Sequence, residues 1–324
     1  MKQQSKAYIF ALSAVLLWST VATAFKISLQ QLTYSQLLLI SSGTSLVVLF
    51  IIVILKIFLK RSTYSEQNKE SVSPKNFNLN QIIAAIKRNL DYKGLIFSIA
   101  LGFLNPFLYY LILFKAYSIL PAQEAISLNY TWGIIVVLLS IILLKQKIHF
   151  INIIFLIISF VGVVIIATGG NFTDLHFKNP EGVIYALSSA LVWGLFWILN
   201  MKDSRDDLIK LFLNFFFGFI FVVIYTVFFT SFKMQISVSF IAAVYVGIFE
   251  MGITFVFWLK ALQLSKTTAL VSNLAYLSPF LSLFFVSIII KEEIQFSTII
   301  GLIFIVIGII LQNLVKKNTF ETNT

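Results

Sequence analysis

The chain has 324 residues, 59% of them hydrophobic and 11% charged, with a mean hydropathy of +0.95, whereas soluble domains run near half apolar and a quarter charged. This excludes a soluble enzyme or a nucleic-acid module, and at roughly 20 apolar residues per membrane-spanning helix it corresponds to about nine or ten spans. The net charge of +11 then reads as lysine-rich cytoplasmic loops on a membrane protein.

Apolar runs follow in chain order at about 7–25, 34–55, 94–114, 125–144, 150–173, 182–201, 211–232, 234–259, 267–290 and 294–315. Each is long enough to cross a bilayer as a helix. Backbone groups in lipid must be satisfied within their own segment, and the alternation of barrel strands is absent, so helices are expected throughout. The first run follows Lys2 and Lys6 in the manner of a signal peptide. It is too long for one, and no small-residue cleavage motif follows it, so a retained first helix is expected. Residues 60–93 form the long polar connection. Within it, 79–88 (LNQIIAAIKR) reads either as a short amphipathic surface helix or as plain solvated linker. The tail 316–324 is polar.

Ten spans put both termini on one side. If that side is cytoplasmic, all but five of the 24 Lys and Arg residues lie inside. The five are Lys26, Lys115, Lys178, Lys233 and Lys291. The positive-inside rule therefore predicts cytoplasmic termini, and a multi-pass protein of a bacterial inner membrane is the expected setting.

The chain repeats itself. Residues 9–18 (IFALSAVLLW) match 184–193 (IYALSSALVW). Residues 102–116 (GFLNPFLYYLILFKA) meet 247–261 (GIFEMGITFVFWLKA), with Gly, Lys and Ala in register. KQKIHF at 145–150 meets KEEIQF at 291–296, and Gly162 meets Gly308. The expected organisation is helices 1–2 in 1–59, a cytoplasmic loop at 60–93, helices 3–5 in 94–173, helices 6–10 in 174–315, and a cytoplasmic tail at 316–324. The predicted fold class is an all-α polytopic membrane protein of ten transmembrane helices, arranged as two inverted five-helix repeats. Five spans per unit force the second copy into the membrane upside down. Such repeats characterise secondary transporters, whose substrate site lies near the midplane at the repeat interface.

A set of motifs runs through both halves. They are LWST at 17–20, LNYTW at 128–132, KQK at 145–147 and VGVVIIATGG at 161–170, then LVWG at 191–194, WLKAL at 258–262, LAYLSP at 274–279 and KEE at 291–293. In these the chain resembles the EamA-type transporters of the drug/metabolite transporter superfamily, over about residues 7–315. LWST and NYxW are most similar to the aromatic amino acid exporters of that superfamily, which usually carry proline where this chain has Gly133. The resemblance implies export or exchange of small metabolites by alternating access. Amino acids or related compounds are the leading cargo, and a broad-specificity drug or cation exporter is the alternative. A non-transport membrane scaffold and an intramembrane enzyme stand further back. The substrate gradient or a coupled proton would supply the energy. Besides the substrate and the bilayer, no nucleic acid is expected as a partner, and both a monomer and a homodimer are open.

Enzyme chemistry finds little support in the residues. There is no cysteine for disulfides or thiolate metal sites. His149 and His176 fall in separate loops. No GxxxxGK[ST] loop cradles phosphates. Catalytic residues, metal and cofactor are all expected to be absent.

Polar groups inside a membrane are costly and tend to be functional. Glu250 lies mid-way along the eighth span. It must be protonated or partnered, and it could carry a proton, bind a substrate ammonium or bridge helices. Glu124, at the start of the fourth span, suits the positive end of a helix dipole. Asn105-Pro106 interrupts the third span, where proline frees a carbonyl and can bend the helix. Asn129, Tyr130 and Trp132 cluster in the fourth span. Trp193, Trp197 and Asn200 share one face of the sixth, and Trp18 is the repeat partner of Trp193. Asn273, Tyr276 and Pro279 form a group in the ninth span, with Pro279 expected to kink it. Tyr109 and Tyr110 complete the candidates for a cavity. Repeat register pairs Asn105 with Glu250, so both are expected to border the midplane site.

Overall fold

The computed structural model describes residues 2–68, 91–144, 150–171, 179–230, 234–265, 271 and 273–321. His149, His176, KQK and the 79–88 stretch lie outside the described residues. Among the described residues the chain is all-helical, without strands. We number the helical segments α1 (Lys2–Ser28), α2 (Tyr34–Asn68), α3 (Tyr92–Ile119), α4 (Ala122–Asn129 with Trp132–Leu144), α5 (Phe150–Ala167), α6 (Pro180–Asn200), α7 (Asp207–Phe229), α8 (Val238–Leu264), α9 (Asn273–Leu277 with Ser278–Ile289) and α10 (Phe296–Glu321). Six are long and apolar enough to cross a membrane: α1, α2, α3, α6, α7 and α8. Shorter apolar helices run over Ile154–Ala167, Leu274–Ile289 and Phe296–Leu311. The run expected at 125–144 is broken at Tyr130-Thr131, so its two helical pieces are each short.

Local sequence explains where the helices begin and end. Asp91 accepts from Gly94 N–H at the start of α3, Asn179 from Gly182 N–H at α6, and Asp206 from Leu208 and Ile209 N–H at α7. Each satisfies an orphan donor of the first turn. α2 continues past its apolar run to Asn68. Lys, Arg, Glu and Gln are good helix formers and no proline intervenes before Pro74, so part of the stretch read as linker is helical.

The π-helical interruptions of α3 and α8 fall at repeat-related positions. Phe103–Leu108 in α3 and Val246–Ile253 in α8 are π-helical. Asn105 is extended (φ −148°, ψ 120°) before Pro106, as the missing N–H of proline requires the helix to give way there. Pro279 does not kink a continuous helix. It sits in the first turn of Ser278–Ile289, after a 3-10 segment, where its absent N–H costs nothing.

The main packings are α1 on α8 and α9, α6 on α3 and α4, α2 on α7 and α8, α7 on α3, and α5 on α10. This set is unchanged when each helix is exchanged for the one five positions further along. Small residues bring the backbones together. A Cβ on Gly102 would strike the Asn214 backbone of α7, and one on its repeat partner Gly247 would strike the Ser41 backbone of α2. Gly162 of α5 and Gly301 of α10 likewise face each other's carbonyls.

The outer surface is apolar. Phe228 is 75% exposed, Phe160 64% and Ile184 63%, which is favourable only against lipid. The interior carries the polar side chains instead. Ser41 and Ser42 are buried and donate to the carbonyls of Leu37 and Leu38, satisfying their hydroxyls within their own helix.

Candidate functional site

A cavity of about 70 Å³ lies inside the bundle. α1 supplies Trp18, Val21 and Phe25. α3 supplies Tyr109, Leu113 and Tyr117, and α4 supplies Ile126, Asn129, Tyr130 and Trp132. From the second half come Trp193 of α6, Glu250 of α8 and Ala275 of α9. Helices one, three and four of each half therefore meet around one space.

Aromatic contacts build the wall. The Trp193 ring lies 4.6 Å from Tyr109 at 33° and meets Phe255 edge-on at 5.7 Å. Trp132 stacks with Tyr276 at 6.2 Å, and Trp18 leans on Trp258 at 5.1 Å. Such pairs contribute roughly 0.5–1.5 kcal/mol each beyond their area, so the rings are held in place.

Two short polar chains cross this wall. Tyr110 Oη donates to Glu250 Oε1 at 3.0 Å. Tyr109 Oη donates to Asn129 Oδ1 at 3.3 Å, and Asn129 Nδ2 donates to Ser189 Oγ at 2.8 Å. Glu250 is buried, yet its Oε2 has no hydrogen-bond partner among the described residues. No Lys, Arg or His is among the described lining residues. Among the described residues no three His, Asp or Glu side chains gather as a metal-binding set.

The sequence candidates divide as follows. Trp18, Tyr109, Asn129, Tyr130, Trp132, Trp193 and Glu250 line the cavity. Trp197 stands behind it, edge-on to Trp193 at 5.8 Å. Tyr276 stands behind Trp132. Asn105 is fully buried in the π-helical stretch that packs on α7 and does not reach the lining. The extended backbone at Asn105 breaks helical register, so its equivalence with Glu250 is one of sequence and not of surroundings. The Asn273 side chain lies outside the described residues.

Several lining residues went unread in the sequence. Val21 and Phe25 follow Trp18 at i+3 and i+7, and Leu113 and Tyr117 follow Tyr109 at i+4 and i+8. Helical spacing from an already suspected residue would have found them. Ala275 is the repeat partner of Asn129.

Next to Phe25 and Tyr117 of the lining lies a set of charged groups. Lys26 Nζ donates to the carbonyls of Tyr117 and Leu120, at 2.9 and 2.6 Å, at the end of α3. Glu292, from the α9–α10 connection, accepts from the N–H groups of Ala122 and Gln123 at 3.0 and 3.1 Å. A cation thus sits on a helix C-terminus and an anion on a helix N-terminus, each where the dipole favours it. Gln123 adds a bond from its Nε2 to the Glu293 carbonyl and accepts from Gln295 N–H, both at 2.7 Å. Glu124, buried in the first turn of α4, carries the acid expected there.

The α6–α7 connection holds a second cluster. The Arg205 guanidinium reaches Asp203 at 2.6 Å and Ser98 Oγ at 3.0 Å. Lys210 Nζ donates to the Asp203 carbonyl at 2.9 Å. Lys56 pairs with Asp206 at 2.7 Å. Burial alone would raise the Asp203 pKa. The hydrogen bonds and charge of Arg205, with Lys210 nearby, outweigh it and hold the carboxyl below its ordinary value.

The model of the EamA-like transporter family matches residues 5–168 and 180–314. The chain belongs to the EamA-like transporter family. An uncharacterized transporter of Clostridium kluyveri is 25% identical over 205 residues, 59% of this chain and 63% of that protein, so the match spans just under two thirds of the relative's length. A protein of known crystal structure superposes with a TM-score of 0.63 over 97% of this chain and 99% of its own, at 18% identity, and so shares the fold. This EamA-family chain is a multi-pass membrane protein, with its described helices apolar on their outer faces.

Proposed function

We propose that this EamA-family protein is a secondary transporter that moves small metabolites outward through the central cavity by alternating access. The carrying observation is the composition of that cavity: helices one, three and four of each half enclose it, as expected for a site at the interface of two repeats. Two inverted five-helix repeats, ten spans and cytoplasmic termini in a bacterial inner membrane are the architecture that goes with this reading. It is supported by the exchange symmetry of the helix packing and by the matched π-helical interruptions. Amino acids and related compounds are the proposed cargo, on the strength of LWST and LNYTW. A proton is the proposed coupling ion.

The test is counterflow in proteoliposomes with labelled amino acids and amines. Saturable, protein-dependent exchange is expected. Absence of exchange for every member of both panels would reject the reading.

A further inference from the structure

The charge balance of the cavity narrows its ligand, given the transport reading above. Glu250 offers one carboxylate oxygen, Oε2, that is buried and has no partner among the described residues. Its other oxygen is held by Tyr110, which fixes the direction in which the free one is presented. Trp18, Tyr109, Tyr130, Trp132 and Trp193 line the same cavity. Aromatic faces attract a cation, Trp most of all, and more strongly once water is excluded. An ammonium group would therefore meet a hydrogen-bond acceptor and a π-rich wall together.

The same wall treats a carboxylate badly. No described lining residue is Lys, Arg or His. Lys26, which shares α1 with Trp18 and Phe25, is engaged by the carbonyls of Tyr117 and Leu120. A carboxylate entering this space would lose its water without finding a cationic partner, a loss far larger than that of a neutral group. A zwitterionic amino acid satisfies the site at one end and is penalised at the other. An amine of the same size with no carboxylate is not penalised. The space as it stands, about 70 Å³, admits several waters at the ~10–15 Å³ each requires, so the ligand is small and a single ring enters only as the walls part during alternating access.

We infer that, of the amino acids and related compounds proposed above, the cavity takes the related compounds: small organic amines carrying an apolar or aromatic body and no carboxylate, with the ammonium on Glu250 Oε2 and the body among the lining aromatic rings.

Three probes with one ring separate the possibilities: 2-phenylethylamine, phenylalanine and 3-phenylpropanoate. Their binding to the purified full-length protein is read by quenching of its tryptophan fluorescence. Phenylethylamine is expected to bind at least about tenfold more tightly than phenylalanine, as for one charge-assisted hydrogen bond formed without stranding a carboxylate, and phenylpropanoate not measurably. Glu250→Gln is expected to weaken phenylethylamine by about tenfold or more, and Glu250→Asp by less. Equal or tighter binding of phenylalanine or phenylpropanoate by the wild-type protein overturns the inference, with no variant needed. So does unchanged phenylethylamine binding in folded Glu250→Gln protein. Binding without counterflow would leave the amine site standing and remove the transport reading. Counterflow of phenylalanine in preference to phenylethylamine would do the reverse.

Discussion

Trp193 touches more of the cavity wall than its single place in a sequence motif suggests. It stacks on Tyr109 and meets Phe196, Trp197 and Phe255. Trp193→Ala removes the closest ring pairing between the two halves at the site. Flux per folded protein is expected to fall by about tenfold or more, equivalent to ~1.4 kcal/mol, and by more than the membrane expression level does. Trp197→Ala, one layer further out, is expected to lower thermal stability comparably while reducing flux less. Counterflow and melting temperature of the two variants side by side check this. Equal flux losses would mean that the cavity wall is not what Trp193 provides. Asn105 shows the limit of reading residues singly. Its polar amide in mid-span drew attention, yet it is buried outside the cavity lining, in a stretch whose backbone is extended before Pro106.

Individual helices are held at their ends by groups from distant parts of the chain. Glu292 caps α4 across 170 positions of sequence. Glu292→Ala leaves two N–H groups and a helix N-terminus without their anion, a loss of about 1–2 kcal/mol on the scale of N-cap and dipole substitutions. The expected outcome is a lower melting temperature and faster labelling of a cysteine placed at Gln123, with Glu292→Gln intermediate. Labelling unchanged in both variants would show that the cap does not hold this end of α4 in place. The Asp203–Arg205 cluster makes a pH-dependent prediction. A carboxyl with a lower pKa in the folded than in the unfolded chain stabilises the fold in full above its unfolded value, about 3.9. That contribution is lost as pH falls through the folded value. Stability contributed by this connection is therefore expected to be flat from neutral pH down to about 4 and to fall below it. Asp203→Asn should flatten that acid limb in a pH series of melting temperatures. An identical acid limb in the variant would assign the acid sensitivity elsewhere.

At the scale of the molecule, the charge distribution predicts an orientation that the packing alone does not. Asn171, after α5, and Lys202, between α6 and α7, are both exposed. The native chain has no cysteine, so single-cysteine labelling is clean. Asn171→Cys is expected to react with an impermeant thiol reagent added outside whole cells, and Lys202→Cys only after the membrane is opened. The reverse pattern would invert the topology.

What could be read from residues alone was whatever depends on composition and short-range periodicity. Apolar runs without charge must be helices in lipid, so the all-helical membrane class followed from the chain. The near-identity of 9–18 and 184–193 exposed the repeat, and the family resemblance followed from motifs shared by both halves. Seven of the candidate residues line one cavity, because side chains that carry a polar atom in mid-span are better placed facing an interior space than lipid. Tertiary structure decided which candidates meet. Glu292 reaches α4, and Tyr110 reaches Glu250, only because α3, α4, α8 and the α9–α10 connection converge, and pairings between residues more than a hundred positions apart leave no local pattern. It also decided that Asn105 is buried away from the cavity lining while Glu250 lines it. Sequence spacing pairs two positions, and only the packing of the surrounding helices decides which of them borders the shared space.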